Sequence, residues 1–538
     1  VRMTAFSDFG RRPWWRGIAV MLVMMASGFG IDRLAAQELR IAVSSEPSSF
    51  DPHFHNLTPN NQIMRHAFEP LILSDERQAL SPGLAASWRL IDDLTWEFKL
   101  RPGVIFHDGS AFSADDVIAS FERAPNVPRS PSPFTSYVKG RVLEKIDDLT
   151  LRIKTATPDP LMLNNIAQVM IISKAAARAP TEDFNSGKAA IGTGPYRFNA
   201  FVPGDRVVLD RFDGYWGGKP QWARVTLKPI SSNPARVAAL LAGDTDVIEA
   251  VPTTDAQRLK ADKNLVVASA LSNRVIYFHL DQYRDVTPFI RAKDGSEIKN
   301  PLRDVRVRQA LSKAINRPAM VERVMEGEAV PASQLLPDSY HGTSKNLKPV
   351  ALDVAGARKL LSEAGYPNGF KMVMHGPNGR YTNDTKIIEA AAQMFARIGI
   401  EASVETLPPA PFFSRASSGN NGNPEFSFIL VGWSAGTGEP SDSLRTLLGT
   451  FDREKGTGAA NRGRYSNPEF DAILASALRT VDDKKRAALL AEATDMVMND
   501  VGLIPIHYQL NTWAARKGYT LVARSDEYTL ATSVKPAP

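Results

Sequence analysis

The chain has 538 residues and no cysteine. Disulfides and thiolate metal sites are therefore excluded, and stability has to come from a packed core. The same absence leaves no attachment atom for a bacterial lipoprotein anchor after the N-terminal apolar run. That run, residues 18–29 (IAVMLVMMASGF), is about a dozen residues long where a membrane span needs ~20, so removal is expected rather than anchoring. Excess charge is missing too. The formal net charge is +6, half of it from residues 1–36, which gives no basis for a nucleic-acid partner. Internal repeats and low-complexity tracts are also lacking, and the Gly/Asn-rich residues 417–423 read as a loop.

What is present starts with an export signal. Arg11, Arg12 and Arg16 precede the apolar run, and Leu34-Ala35-Ala36 offers small residues for cleavage before Gln37. Arg11-Arg12 raises the twin-arginine route, but Pro13 directly after the pair suits it poorly, so the general secretory route is expected. About 500 residues remain, more than one core usually holds, which predicts at least two domains.

Residues 38–43 alternate as a strand. Around the Asp92-Asp93 turn, Trp96, Phe98 and Leu100 alternate with Glu97 and Lys99, the pattern of a half-buried hairpin. Ser113-Ala114-Asp115-Asp116 caps a helix through Val117, Ile118 and Phe121. Residues 61–73 read as a helix. Residues 225–229, a helix over 236–242 and residues 246–248 form a β-α-β unit, and residues 370–374, 386–398 and 401–406 form a second. The chain is therefore expected to be α/β.

Residues 83–121 (GLAASWRLIDDLTWEFKLRPGVIFHDGSAFSADDVIASF) resemble the signature region of the family 5 extracellular solute-binding proteins, the peptide- and nickel-type receptors of bacterial ABC importers. Further strings follow in family order: Phe50-Asp51-Pro52, Phe68-Glu69-Pro70-Leu71, Gly192-Thr193-Gly194-Pro195-Tyr196, the helix over 305–316, residues 357–370 and residues 503–508. The resemblance spans nearly all of residues 38–520. It implies a two-lobed periplasmic binding protein fold, type II-like and of cluster C, with an extra subdomain inserted in lobe one. The expected division is a signal at 1–36, lobe one at 37–69, 191–285 and 504–538, the insert at 70–190, and lobe two at 286–503. Crossovers are expected near 280–300 and 495–508. The implied function is capture of a small solute, a peptide by family default, and delivery to ABC permease subunits at the inner membrane. A monomer without cofactor is expected.

The same resemblance points to ligand contacts at Asn56 and Thr58, just after the Phe50-Asp51-Pro52 loop. Peptide-binding relatives carry a loop resembling W-x-x-D-x-x-[DE]-P, whose first carboxylate pairs with the peptide ammonium. Here the loop runs Trp433-Ser434-Ala435-Gly436-Thr437-Gly438-Glu439-Pro440, so Gly436 stands at the anchoring position. An unpaired buried ammonium costs several kcal/mol, so either Glu439 or Asp442 substitutes, or the ligand is a sugar, an opine or another polar solute. Arg380 and Tyr381 leave the C-terminal end of a strand, where ligands bind in open α/β sheets and Arg380 can clamp a carboxylate. Tyr508 and Gln509, with Asn511 and Trp513, read as cleft lining or packing.

Two other chemistries compete. Gly432-Trp433-Ser434-Ala435-Gly436 matches G-x-S-x-G, with His375 upstream and His507 downstream, as in a serine hydrolase using Ser434. Against it, Thr437-Gly438-Glu439-Pro440 postpones the helix that a nucleophile elbow requires. His53, His55 and His66 are close in sequence, but a metal site needs three or four supported ligands, and neither a metal nor an enzymatic activity is expected.

Overall fold

A computed structural model describes residues 38–419 and 421–538; the export signal expected at 1–36 lies outside them. Among the described residues no helix is long and apolar enough to cross a membrane. The chain enters by β1 (Glu38–Val43) and α1 (Thr58–Ala67). The sequence extends this helix to residue 73. It ends at Ala67 because Phe68 turns to extended backbone, φ −123° and ψ 150°, which the oncoming Pro70 enforces by barring a further helical turn.

The stop lets two of the family strings meet. Gly194 donates its N–H to the carbonyl of Ala67 at 3.0 Å, and a Cβ at Gly192 would lie 2.0 Å from that oxygen. Only glycine permits this approach. Glu69 then accepts hydrogen bonds from Thr193 Oγ1, Tyr215 Oη and Trp216 Nε1 at 2.8–2.9 Å.

One sheet of twelve strands runs through the molecule. Its first-lobe part contains β2 (Tyr196–Val202), β3 (Arg206–Arg211), β4 (Arg224–Pro229) and β5 (Val247–Ile248). β1 lies parallel between β4 and β5, and α2 (Asn233–Ala242) makes the crossover between them. The long strand β6 (Leu265–Leu280) leads toward β7 (Ile290–Arg291), β8 (Ala329–Pro331), β9 (Lys371–Pro377), β10 (Glu401–Leu407) and β11 (Phe428–Ser434). β12 (Ile504–Arg516) returns. The order is β2-β3-β4-β1-β5-β12-β6-β11-β9-β7, with β8 beside β12 and β10 beside β9.

Two strands, β6 and β12, serve both halves. Their antiparallel register runs from Leu265 opposite Arg516 to Leu271 opposite Leu510, breaks, and resumes at Val275 opposite Tyr508. Before the break the neighbouring core is built on Leu39, Val225 and Ala515; after it, on Phe278, Met374, Phe395 and Leu430. The change of core thus falls at residues 271–275 of β6 and 508–510 of β12. Residues 85–155 hold a separate four-stranded antiparallel sheet on its own core of Phe98, Phe106, Leu151 and Ile153.

Candidate functional site

Two cavities share Leu57 and Thr58 in their walls. The larger, about 800 Å³, lies between the halves of the sheet, with Glu249 and Thr253 on the first-lobe side, Arg380, Tyr381 and Asn383 on the second, and Arg274, Gln509, Asn511 and Trp513 of the shared strands between them. The volume lies within the range of small-ligand sites.

Glu249 follows β5, so the parallel strand delivers it to the end of the sheet where open α/β folds bind ligands. Its carboxylate accepts from Ser44 N at 2.7 Å, Ser44 Oγ at 2.8 Å and Thr529 Oγ1 at 2.6 Å. No cation pairs with it among the described residues. The nearby Arg236 directs its donors to the carbonyls of Ile230, Glu249 and Ala250 and to Asn233 Oδ1. Glu249 is therefore a largely buried carboxylate solvated by neutral donors.

The opposite wall is the loop between β9 and α3 (Asp384–Ala396). Asp384 shapes it by accepting the N–H groups of Gly379 at 3.2 Å, Arg380 at 2.8 Å and Tyr381 at 3.0 Å. Tyr381 donates its hydroxyl to Gly432 O at 3.1 Å, and the Arg380 guanidinium lies 5.1 Å from the Tyr381 ring centroid. Arg380 is exposed and has no ion-pair partner among the described residues. Asn383, at φ 57°, donates to Thr253 Oγ1 across the cleft at 3.0 Å and to Val324 O at 2.8 Å, a direct bond between the two sides. Arg274 and Glu527 close the floor as a buried pair. Burial disfavours the Glu527 charge, but Arg274 outweighs it and holds the carboxyl below its ordinary range.

The smaller cavity, about 180 Å³, is lined by Asn56, Asn61, Arg65, Gln78, Tyr137, Gln168, Asn273, Ser434, Gly436, Asp526 and Tyr528 among others. It is roofed from the insert: Gln78 Nε2 reaches Gly436 O at 3.4 Å and Asn164 Nδ2 reaches Thr437 O at 2.7 Å.

Of the residues singled out from the sequence, Thr58, Arg380, Tyr381 and Gln509 line the larger cavity, and Asn56, Thr58, Ser434 and Gly436 the smaller. Trp433, Glu439 and Tyr508 line neither. Trp433 packs against the second-lobe core. Glu439 is buried against Arg486 and Ser441, so it does not replace the carboxylate missing at Gly436. Tyr508 is buried with its hydroxyl 3.0 and 2.9 Å from the carbonyls of Gln334 and Leu336. Asp442 is bonded to Arg445 at 3.1 Å. The hydrolase arrangement does not form: the Ser434 hydroxyl donates to Asn273 Oδ1, no helix starts before Ser441, and His375 and His507 are buried in the core. Among the described residues no group of three or more His, Asp or Glu could hold a metal ion.

Glu249, Arg274, Arg65 and Glu527 were not picked out from the sequence. Only Arg65 left a trace there, on the Asn61-Arg65 face of α1 at helical spacing; Glu527 comes from a C-terminal segment without periodicity.

A model of the bacterial extracellular solute-binding proteins, family 5 (middle), matches residues 79–455. The glutathione-binding protein GsiB of Pectobacterium atrosepticum is 31% identical over 494 residues, 91% of this chain and 91% of that one. Among solved structures, HbpA2 from Haemophilus parasuis superposes with a TM-score of 0.79 at 25% identity, covering 93% of this chain and all of the other. The periplasmic binding protein DppA from Helicobacter pylori, solved in complex with the peptide STSA, gives a TM-score of 0.75 at 24% identity over 93% and 98% of the two chains, a likeness of fold.

Proposed function

The chain belongs to family 5 of the bacterial extracellular solute-binding proteins, and from that premise we propose that it is the periplasmic receptor of an ABC importer, capturing a small peptide between its lobes and handing it unmodified to the membrane permease. The observation that carries the peptide reading is the placement of charges of opposite sign, neither in an ion pair among the described residues, on opposite walls of one cleft: Glu249 on the first-lobe side, Arg380 on the second. A zwitterion bound across the cleft satisfies both and draws the walls together, which is how a solute of this kind drives hinge closure. GsiB, whose name records glutathione as its ligand, is a peptide-binding relative over nearly the whole length, which supports the same reading.

We place the hinge at the register break of β6 and β12, because residues 272–274 have no ladder partners on β12 there and can absorb rotation. Lobe one is assigned to residues 37–69, 191–285 and 504–538, lobe two to 286–503, and the insert to 70–190. The first 36 residues direct export by the general secretory route, and the mature protein acts as a periplasmic monomer with permease subunits as partners.

The test is native mass spectrometry of mature protein from its own periplasm, with identification of the mass released on denaturation. A peptide is expected; a sugar or opine would overturn the peptide assignment.

A further inference from the structure

The smaller cavity has the chemistry of a ligand subsite rather than of a packing defect. Most of its lining side chains are amides and hydroxyls, and its one carboxylate is already engaged. Asp526 pairs with Arg524 at 2.7 Å. The cation Arg65, by contrast, makes no ion pair among the described residues. Its Nη2 lies 3.1 Å from Ala167 O and 3.4 Å from Gln168 Oε1, its guanidinium is 5.2 Å from the Tyr528 ring centroid, and its Nε is buried without a partner. A guanidinium carries five N–H donors in a fixed fork suited to carboxylate, so most of this one's capacity is unused.

Gly436 makes the room. Gly436 lines the cavity, and a Cβ built there meets nothing within 4 Å, so a side chain is accommodated at this position. The two cavities adjoin: both are lined by Leu57 and Thr58, and chain neighbours divide between them, Arg274 and Glu527 lining the large one and Asn273, Asp526 and Tyr528 the small one. A ligand in the cleft can therefore extend one short arm past Leu57 and Thr58.

We propose that the smaller cavity is an acid-accepting subsite in which Arg65 binds a second carboxylate of the ligand, so that the receptor selects small peptides with two carboxylates over those with one. This rests on the peptide reading above. The loss of a side chain at Gly436 then marks a changed specificity: where an ammonium anchor would stand, room for an anion is left.

Isothermal titration calorimetry tests it with two matched pairs: glutathione and its analogue amidated at the γ-glutamyl α-carboxylate, and α-linked Glu-Ala-Ala and Gln-Ala-Ala. Wild type should prefer at least one diacid over its partner by about 10-fold or more, as expected for a desolvated charge pair. Arg65→Gln should reduce that ratio to within about 3-fold, Arg65→Lys should retain part of it, and Gly436→Asp, which sets a carboxylate beside Arg65, should abolish or reverse it. Equal binding within both pairs by wild type, or a preference that survives Arg65→Gln, overturns the subsite while leaving the peptide reading intact. Failure of wild type to bind any of the four overturns both.

Discussion

Arg274 and Glu527 meet as a bidentate pair, Nε to Oε1 at 2.8 Å and Nη2 to Oε2 at 3.0 Å, joining β6 to the C-terminal segment on the floor of the cleft. Glu527→Gln leaves the guanidinium buried without its counter-charge and should cost about 3–5 kcal/mol in urea unfolding at neutral pH. Because the folded carboxyl lies below its ordinary range, its contribution is present above the unfolded pKa of about 4.3 and is lost as pH falls through the folded value. The wild type should therefore lose stability in acid more steeply than the variant; parallel acid profiles would show that the pair contributes nothing.

Capture depends on the two walls. Glu249→Gln removes the buried carboxylate and should weaken binding of the native peptide by about 2 kcal/mol or more. Arg380→Gln, on the exposed side, should cost less. Calorimetry on both variants with the co-purified ligand decides this, and unchanged affinity in Glu249→Gln would exclude it as the ammonium site.

The bond from Asn383 to Thr253 links the two sides of the cleft, so opening the cleft has to break it. Thr253→Val deletes the acceptor with little change of shape. About 1 kcal/mol is at stake, which should appear as a several-fold faster ligand dissociation in stopped-flow, with the association rate little altered.

Glu69 supplies a titration away from the ligand. Burial pushes its carboxyl up to about 7, against the pull of the bonds from Trp216, Tyr215 and Thr193. With a folded value above the unfolded one, its contribution is full below about pH 4.3 and fades as pH rises to 7. Stability measured between those limits should fall by at most about 1.4 kcal/mol per pH unit from this group, and Glu69→Gln, which mimics the protonated form, should flatten that slope.

The sequence makes much of the scaffold legible because its signals are local. β1 has the bounds its alternation predicts, and the glycines of residues 192–194 mark a close backbone approach. The site is harder to read. Tyr508 and Gln509 are neighbours on one strand and face opposite ways, Tyr508 into the core and Gln509, with Asn511 and Trp513, toward the cleft; alternation separates the two faces, but which one meets the cleft depends on segments packed from elsewhere in the chain. Glu439 has the right charge in the right loop, but Arg486, 47 positions away, takes it out of reach. Arg65 acquires its meaning only from Gln168, Gly436 and Tyr528, none of them near it in sequence.

Residues 526–528 serve the two cavities in alternation. Odd-numbered Glu527 looks one way and its even-numbered neighbours the other, with Arg274 and Asn273 split in the same manner. A substitution at any one of these positions therefore changes the lining of one chamber and leaves that of the other in place.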